Sequence, residues 1–322
     1  MHNNIGDIMI IRLGYVSLSK TLNGMTTSST ITYTNFEKES FPVDKLNKII
    51  KNNLNSLKEI IKYNIKNNIH FYRLTSKLIP LATHDKVDFD YIKPFKESFE
   101  NIGKMINDNK IRIDTHPDQY TVLNSVDNKI VKNTYEILEY HYKILRALNV
   151  KNPIIIIHVG SSVFGKEASI TRFINNFNKL PEYIKKSIAV ENDDKVYNIK
   201  DVLKICQKLN IPMVLDYHHY ICNNEGEKLE EYIQDIVNTW KNLNPKFHFS
   251  SPKSKLKKEF RSHHDYINSD DFINFLNIIK TTDKNADIML EAKAKDEALF
   301  RLIRELKYKI NYAFLDETSF IL

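Results

Sequence analysis

The sequence predicts an α/β fold, a single closed barrel of parallel strands, and three observations carry that prediction. Eight short apolar runs recur along 322 residues, amphipathic stretches separate most of them, and no glycine-rich phosphate loop follows the first run. Strands alternating with helices build βαβ units, whose parallel strands are buried on both faces. Eight such strands match a (β/α)8 TIM barrel, typically about 250 residues before insertions. A doubly wound sheet is the rival architecture, and the missing glycine loop speaks against it.

The first run is IRLGYVSL (11–18), followed by a long polar crossover, 19–43. A connection of that size has a functional use or is disordered. Helical period over 44–67 leads to FYRLTS (71–76), and over 90–108 to IRIDTHP (111–117). The stretch 128–148 precedes PIIIIHVG (153–160), whose four isoleucines suit a strand buried on both faces. SIAVEND (187–193) is followed by a helical stretch, 196–209, and then PMVLDYHH (212–219). Further amphipathic segments near 226–241, 269–280 and 295–309 flank KFHFSS (246–251) and ADIMLEAK (286–293). Residues 308–322 read as a short apolar tail packed on the barrel. Residues 1–10 read as an N-terminal extension and 11–322 as one barrel domain.

Composition bounds the function loosely. The 42% hydrophobic and 27% charged residues are ordinary globular usage, and a net charge of +7 favours a polyanionic partner without identifying one. The two cysteines, Cys206 and Cys222, have no metal-type spacing and suit a reduced cytosol. The N-terminus has no cationic start, and no apolar stretch approaches the roughly 20 residues needed to span a bilayer. A soluble, cytoplasmic protein without a membrane partner is expected.

The ends of the strands carry the chemistry. The third run ends in THPDQY with His116, the fourth in His158, and the fifth in AVEND with Glu191. The sixth supplies Asp216, His218 and His219, the seventh Lys246 and His248, and the eighth Glu291. In a barrel all of these reach the C-terminal rim, where barrel active sites are built. A single histidine there is more often a hydrogen-bonded core group than a ligand. Carboxylates such as Glu191 and Glu291 at the ends of apolar strands are costly unless paired or metal-bound. His70 and His141, before a strand and inside a helix, read as structural. With one residue from SHHDY the rim offers about eight donors, whereas one catalytic zinc needs three. Eight suggest a divalent-metal cluster of two or three ions, with Glu191 bridging a pair. Ions about 3.5–4 Å apart clamp both oxygens of an in-line phosphoryl displacement, which points to phosphodiester hydrolysis.

Taken in order, IRLGYV, RLTSKLIPLATH, HPDQY, IIIIHVG, AVEND, LDYHH, KFHFSS with SHHDY, and LEAK resemble the UV damage endonucleases. The likeness runs from Ile11 to about residue 305. The family is similar to endonuclease IV in its barrel and three-metal site. The resemblance implies incision of double-stranded DNA immediately 5′ of UV photoproducts, both pyrimidine dimers and 6-4 photoproducts, without ATP. It implies up to three divalent ions, Mn2+ first and Zn2+, Mg2+ or Co2+ as alternatives, in a monomer with no obligate protein partner. Carried over by motif, His116, His158 and Glu191 would hold one ion, and Glu191, Asp216, His248 and Glu291 a second. His219, His263 and Asp265 would hold the third, with His263 chosen over His264 by the H-x-D-Y pattern and His219 over His218 by D-x-x-H. A metal-bound hydroxide would attack phosphorus while another ion stabilises the leaving 3′-oxygen, with Glu191 and Lys246 as the catalytic residues. Lys246, on the same side of its strand as His248, would be carboxylated to an anion beside the ions. Gln119 and Tyr120 would wedge into the duplex at the lesion, with Tyr15 beside the flipped bases. Ser19 departs from the asparagine usual four positions after that tyrosine. Arg73, Lys77 and the run 253–261 would meet phosphates, and His84 would lie near the site. The competing readings are cleavage at abasic sites, a metal-dependent sugar isomerase or epimerase on the same barrel, and a non-enzymatic binding module.

Overall fold

In the computed structural model, which describes residues 8–322, eight parallel strands close into a barrel. They are β1 (Ile10–Val16), β2 (Phe71–Leu74), β3 (Arg112–Thr115), β4 (Ile155–His158), β5 (Ile188–Glu191), β6 (Met213–Asp216), β7 (Lys246–Phe249) and β8 (Ala286–Leu290). They pair in chain order, and β1 closes the ring against both β8 and β2. Around them lie α1 (Tyr33–Glu37), α2 (Pro42–Lys66), α3 (Lys96–Asp108), α4 (Asn128–Ala147), α5 (Lys166–Asn178), α6 (Glu182–Lys185), α7 (Ile199–Leu209), α8 (Tyr217–Cys222), α9 (Ile233–Asn238), α10 (Ser269–Lys280) and α11 (Asp296–Lys309). Among the described residues no helix is long and apolar enough to cross a membrane.

The helices form because each carries an apolar stripe for the barrel. On α2, Leu46, Ile50, Leu54, Leu57 and Ile61 recur at three- and four-residue spacing and are buried. Asn198 and Asp201 cap α7 reciprocally, each side chain accepting a backbone N–H from the other. The sequence reading passed over α5, an asparagine-rich helix that buries only Ser169, Phe173 and Phe177 and enters without a side-chain cap. The stretch near 226–241 breaks into a 3-10 turn, Leu229–Glu231, and α9.

The C-terminal tail is more than apolar packing. It forms β9 (Ala313–Phe314) and β10 (Ser319–Ile321), and β10 pairs antiparallel with the first half of β1 while Tyr15 and Val16 pair with β2. β1 is longer than β2, so β10 satisfies backbone groups that β2 leaves unpaired. At the other end, residues 1–7 of the expected extension lie outside the described residues. Met9 is buried and accepts from Leu322 N, and Ile10 already belongs to β1.

Two separate cores result. The large one lies between barrel and helices; a small one joins Ile154, Ile156, Ala189, Val214 and Trp240 along β4, β5 and β6. Strand alternation then sends the residues two positions onward, His158, Glu191 and Asp216, inward at the mouth. Polar groups also lie inside the barrel. At the bottom, Asp287 accepts from Arg12 Nε (2.6 Å), Arg12 Nη2 (2.8 Å) and Arg112 Nη1 (2.7 Å). Lys246, the register partner of Asp287, donates from Nζ to Asp114 at 2.6 Å, both side chains fully buried. Gly14 makes room for this packing: a Cβ there would sit 2.3 Å from the Phe71 carbonyl oxygen.

Candidate metal centre

The register sets the cluster. His158 is level with Glu191 across β4 and β5, and Asp216 with His248 across β6 and β7. His116 and Glu291 each lie just past the end of β3 and β8. Glu191 is the hub. His116 Nε2 and His248 Nδ1 are each 2.9 Å from its carboxylate, His219 Nδ1 is 3.4 Å away, and His158 Nε2 is 3.9 Å away. Glu291 joins from the far side, 3.3 Å from His248 Nδ1.

Two donor triads therefore share one carboxylate. His116, His158 and Glu191 form the first, Glu191, Asp216 and His248 the second, each with donor atoms within 4.8 Å of one another. These are the donor types of Zn2+, Mn2+ and Fe2+ sites. Asp216 Oδ2 is buried with no hydrogen-bond partner, an arrangement that is costly unless a cation meets it. The residues present fit a divalent ion.

Electrostatics agree. Burial pushes the Glu191 carboxyl up, but the imidazoles of His248 and His158 and hydrogen bonds from His116 and His219 outweigh it and hold it well below the usual range. Burial pushes Asp216 up to about 7 and His248 down to about 3. Burial also opposes a charged His219, but Asp216 and Glu191 raise its pKa well above the ordinary imidazole value. Groups displaced in opposite directions within one cleft are what makes these residues a candidate site.

The expected third group is only partly assembled. His219, not His218, faces Glu191, while His218 is fully buried with its Nε2 3.7 Å from Cys222 Sγ. His263 Nδ1 lies 2.8 Å from the Glu291 carbonyl, whereas His264 turns outward to Tyr266. Asp265 is exposed, and its carbonyl accepts from Ala294 N.

The remaining residues named from the sequence take varied positions. Tyr15 shares the parity of Ile11 and Leu13, so it is fully buried and its hydroxyl donates to Asn64 of α2, away from the mouth. Arg73 is no surface phosphate contact: its side chain is 8% exposed, 2.6 Å from Glu291 Oε1 and 2.5 Å from His248 Nε2. Lys246 meets Asp114, and burial pulls its pKa down to about 7. Ser19 is buried and donates to Asp296, which also accepts from Lys20 N and the Tyr63 hydroxyl and so ties the first crossover to α11 and α2. His84 is stacked on Tyr33 at 4.4 Å, and His70 pairs with Asp316 at 2.7 Å. Gln119 and Tyr120 are exposed on a turn whose Asp118 carboxylate accepts from Tyr120 N. Sequence reasoning missed Asp114 and Asn192. The first was legible as D-x-H with His116; the second holds Asp216 N and the Asp216 carbonyl through its side-chain amide.

Fold and rim define a class: a (β/α)8 barrel with a histidine–carboxylate cluster at the C-terminal mouth. The family described as UV-endonuclease UvdE matches residues 11–318. A UV DNA damage endonuclease of Bacillus cereus (strain G9842) is 45% identical over 303 residues, 92% of this chain and 95% of that protein. The crystal structure of SacUVDE superposes with a TM-score of 0.84 at 36% identity, over 92% of this chain and 98% of that one. Endonuclease IV from Thermus thermophilus superposes at 0.57 with 11% identity, over 92% and 98%, and shows the fold alone. The chain belongs to the UV-endonuclease family, and so it is an endonuclease that acts on DNA.

Proposed function

We propose that this endonuclease incises duplex DNA immediately 5′ of pyrimidine dimers and 6-4 photoproducts, acting as a monomer in the cytoplasm with up to three divalent ions, Mn2+ foremost. The observation that carries the reading is Glu191, whose carboxylate lies within reach of His116, His158, His219 and His248 at once. His116, His158, Glu191, Asp216, His248 and Glu291 would hold two ions, and His219 and His263, with Asp265 if it turns inward, a third. Bound there, divalent ions supply Lewis acidity toward a phosphate and lower the pKa of water toward neutrality.

The chain's own groups do the rest. Glu191 bridges the two triads and fixes their spacing. Asn192 orients Asp216 through two backbone hydrogen bonds. Arg73 balances Glu291 and Asp114, which limits like-charge repulsion among buried carboxylates. Burial brings the Lys246 pKa down to about 7, so loss of its proton to free the amine for CO2 costs little near neutral pH, and a carboxylated Lys246 would present an anion toward the ions. Gln119 and Tyr120 enter the duplex at the lesion, where unstacking is least costly.

The test is a labelled duplex with one thymine dimer, incubated with Mn2+ and with wild type or Glu191→Gln. A cut directly 5′ of the dimer, lost in the variant, is expected. Cleavage only of a matched abasic duplex would move the assignment to the abasic-site reading.

A further inference from the structure

The connection between β4 and α5, residues 159–165, presents a side chain that the reading above does not use. Phe164 is 81% exposed and has φ +63. A bulky residue in the left-handed region is uncommon, and an aromatic ring left in water adds a second cost. Such a conformation persists only where its surroundings over-determine it.

They do so here. The Val163 carbonyl accepts from Arg172 Nη2 (2.5 Å) and Ser169 Oγ (3.0 Å), and the Ser162 carbonyl accepts from Gly165 N (2.9 Å). The Ser161 carbonyl accepts from Asn124 Nδ2 (2.5 Å) and the Tyr197 hydroxyl (2.9 Å). Arg172 Nε then donates to the Asn124 carbonyl at 2.9 Å. Asn124 lies on the connection that carries Gln119 and Tyr120, so one guanidinium joins the two loops. Gly160, at φ +111, completes the joint: a Cβ there would lie 2.4 Å from Asn124 Oδ1 and 2.9 Å from Val122 Cγ1. Two neighbouring rim loops form one braced body with two exposed aromatics, Tyr120 (75%) and Phe164.

We propose that Phe164 is a second base-stacking residue for damaged duplex DNA, its ring covering a base left exposed at the lesion step. The inference rests on the DNA reading of the rim. The occupant follows from position, because chemistry at the barrel mouth requires the duplex to lie across these loops. It follows also from chemistry: every base offers a π-face to an aromatic ring, and the chain is cationic, at +7. A rigid ring stacks at little entropic cost, since the loop is ordered before DNA arrives.

The chain has one tryptophan, Trp240, which is 1% exposed and packs beside Arg112 at the bottom of the barrel. Phe164→Trp therefore places the sole exposed indole at the rim. Titration with a duplex carrying one thymine dimer should quench that emission, while Tyr308→Trp, 93% exposed in the last turn of α11, should not respond. Phe164→Ala should weaken binding of the same duplex roughly 5- to 150-fold, the range for loss of one stacked base. Wild type that cuts the dimer duplex, with an unquenched indole and unchanged binding by Phe164→Ala, overturns the inference and leaves the DNA reading intact. Equal quenching by undamaged duplex overturns the assignment to the lesion step. Wild type that neither binds nor cuts damaged duplex overturns the functional reading itself, and the inference with it.

Discussion

Replacing Lys246 by methionine removes one half of a fully buried ion pair. Its Nζ lies 2.6 Å from Asp114 Oδ2. At an effective dielectric of about 20, two unit charges at that distance attract by roughly 6 kcal/mol. Withdrawing each ion from water costs several kcal/mol even after relaxation, so the pair nears break-even. The amine's pKa of about 7 has the same sign: burial outweighs the attraction of Asp114. Losing one partner is another matter. Asp114 would remain buried with Oδ1 lacking a hydrogen bond and only Arg73 Nε, 3.9 Å away and shared with Glu291, to balance it; breaking a buried pair costs up to about 3–5 kcal/mol. That is a large share of a typical stability of roughly 5–15 kcal/mol. In urea unfolding, Lys246→Met should lower the midpoint strongly, and the double variant Lys246→Met with Asp114→Asn should recover most of the loss. A double variant no more stable than the single would refute the pairing as the source of the cost. Incision then separates two roles for Lys246. If it only balances charge, the double variant still cuts the dimer duplex; if it is carboxylated, stability returns without activity, and native intact mass of the wild type shows the added CO2.

Removing divalent ions should destabilise the fold by mass action. An ion supplied at about 100 times its Kd contributes roughly 2.7 kcal/mol, so chelation should lower Tm in wild type and much less in Glu191→Gln; equal shifts would count against the cluster as the binding site. Asp287→Asn should destabilise by about 2–4 kcal/mol, discounted because Arg12 and Arg112 are partly exposed, at 25% and 17%. Burial pushes the Asp287 carboxyl up, but Arg112 and Arg12 outweigh it and hold it below the usual 3.8. A depressed folded-state pKa stabilises fully above the unfolded value and less as pH falls through the folded one. The gap between wild type and variant in urea should therefore be full at neutral pH and shrink below about pH 4; a gap that widens on acidification would reverse the assigned sign.

Much of the rim was legible because a barrel turns a one-dimensional fact, what ends a strand, into a three-dimensional one. His158, Glu191, Asp216 and His248 needed only strand ends and period-two spacing. Parity also explains the burial of Tyr15. Its alternation with Ile11 and Leu13 points to the helices, and the family motif had pointed to the lesion. Arg73 read as a phosphate contact and Lys246 as a carboxylated lysine beside the ions, yet their partners are remote in sequence: Asp114 is 132 residues from Lys246. Such pairings follow from barrel closure, which local periodicity does not encode. The same limit hid α5, whose few apolar residues give a faint stripe.

The inner site by itself does not separate a nuclease from a sugar isomerase, since a barrel with histidines and carboxylates at its mouth serves many chemistries. The outer rim does. An enzyme for a small sugar gains by enclosing it, burying most of the ligand in a concave pocket. Here two adjoining loops instead hold Tyr120 and Phe164 out in solvent, one on an Asx turn and one in a left-handed conformation, joined through Arg172. Exposed rings on a braced frame lose contact energy unless something large and flat covers them. A duplex with a distorted step supplies such a surface, and in reading damage a rigid frame favours the lesion whose bases are already unstacked. Specificity would then reside in the loops and chemistry in the strand ends, so substitutions in the two layers should separate binding from incision.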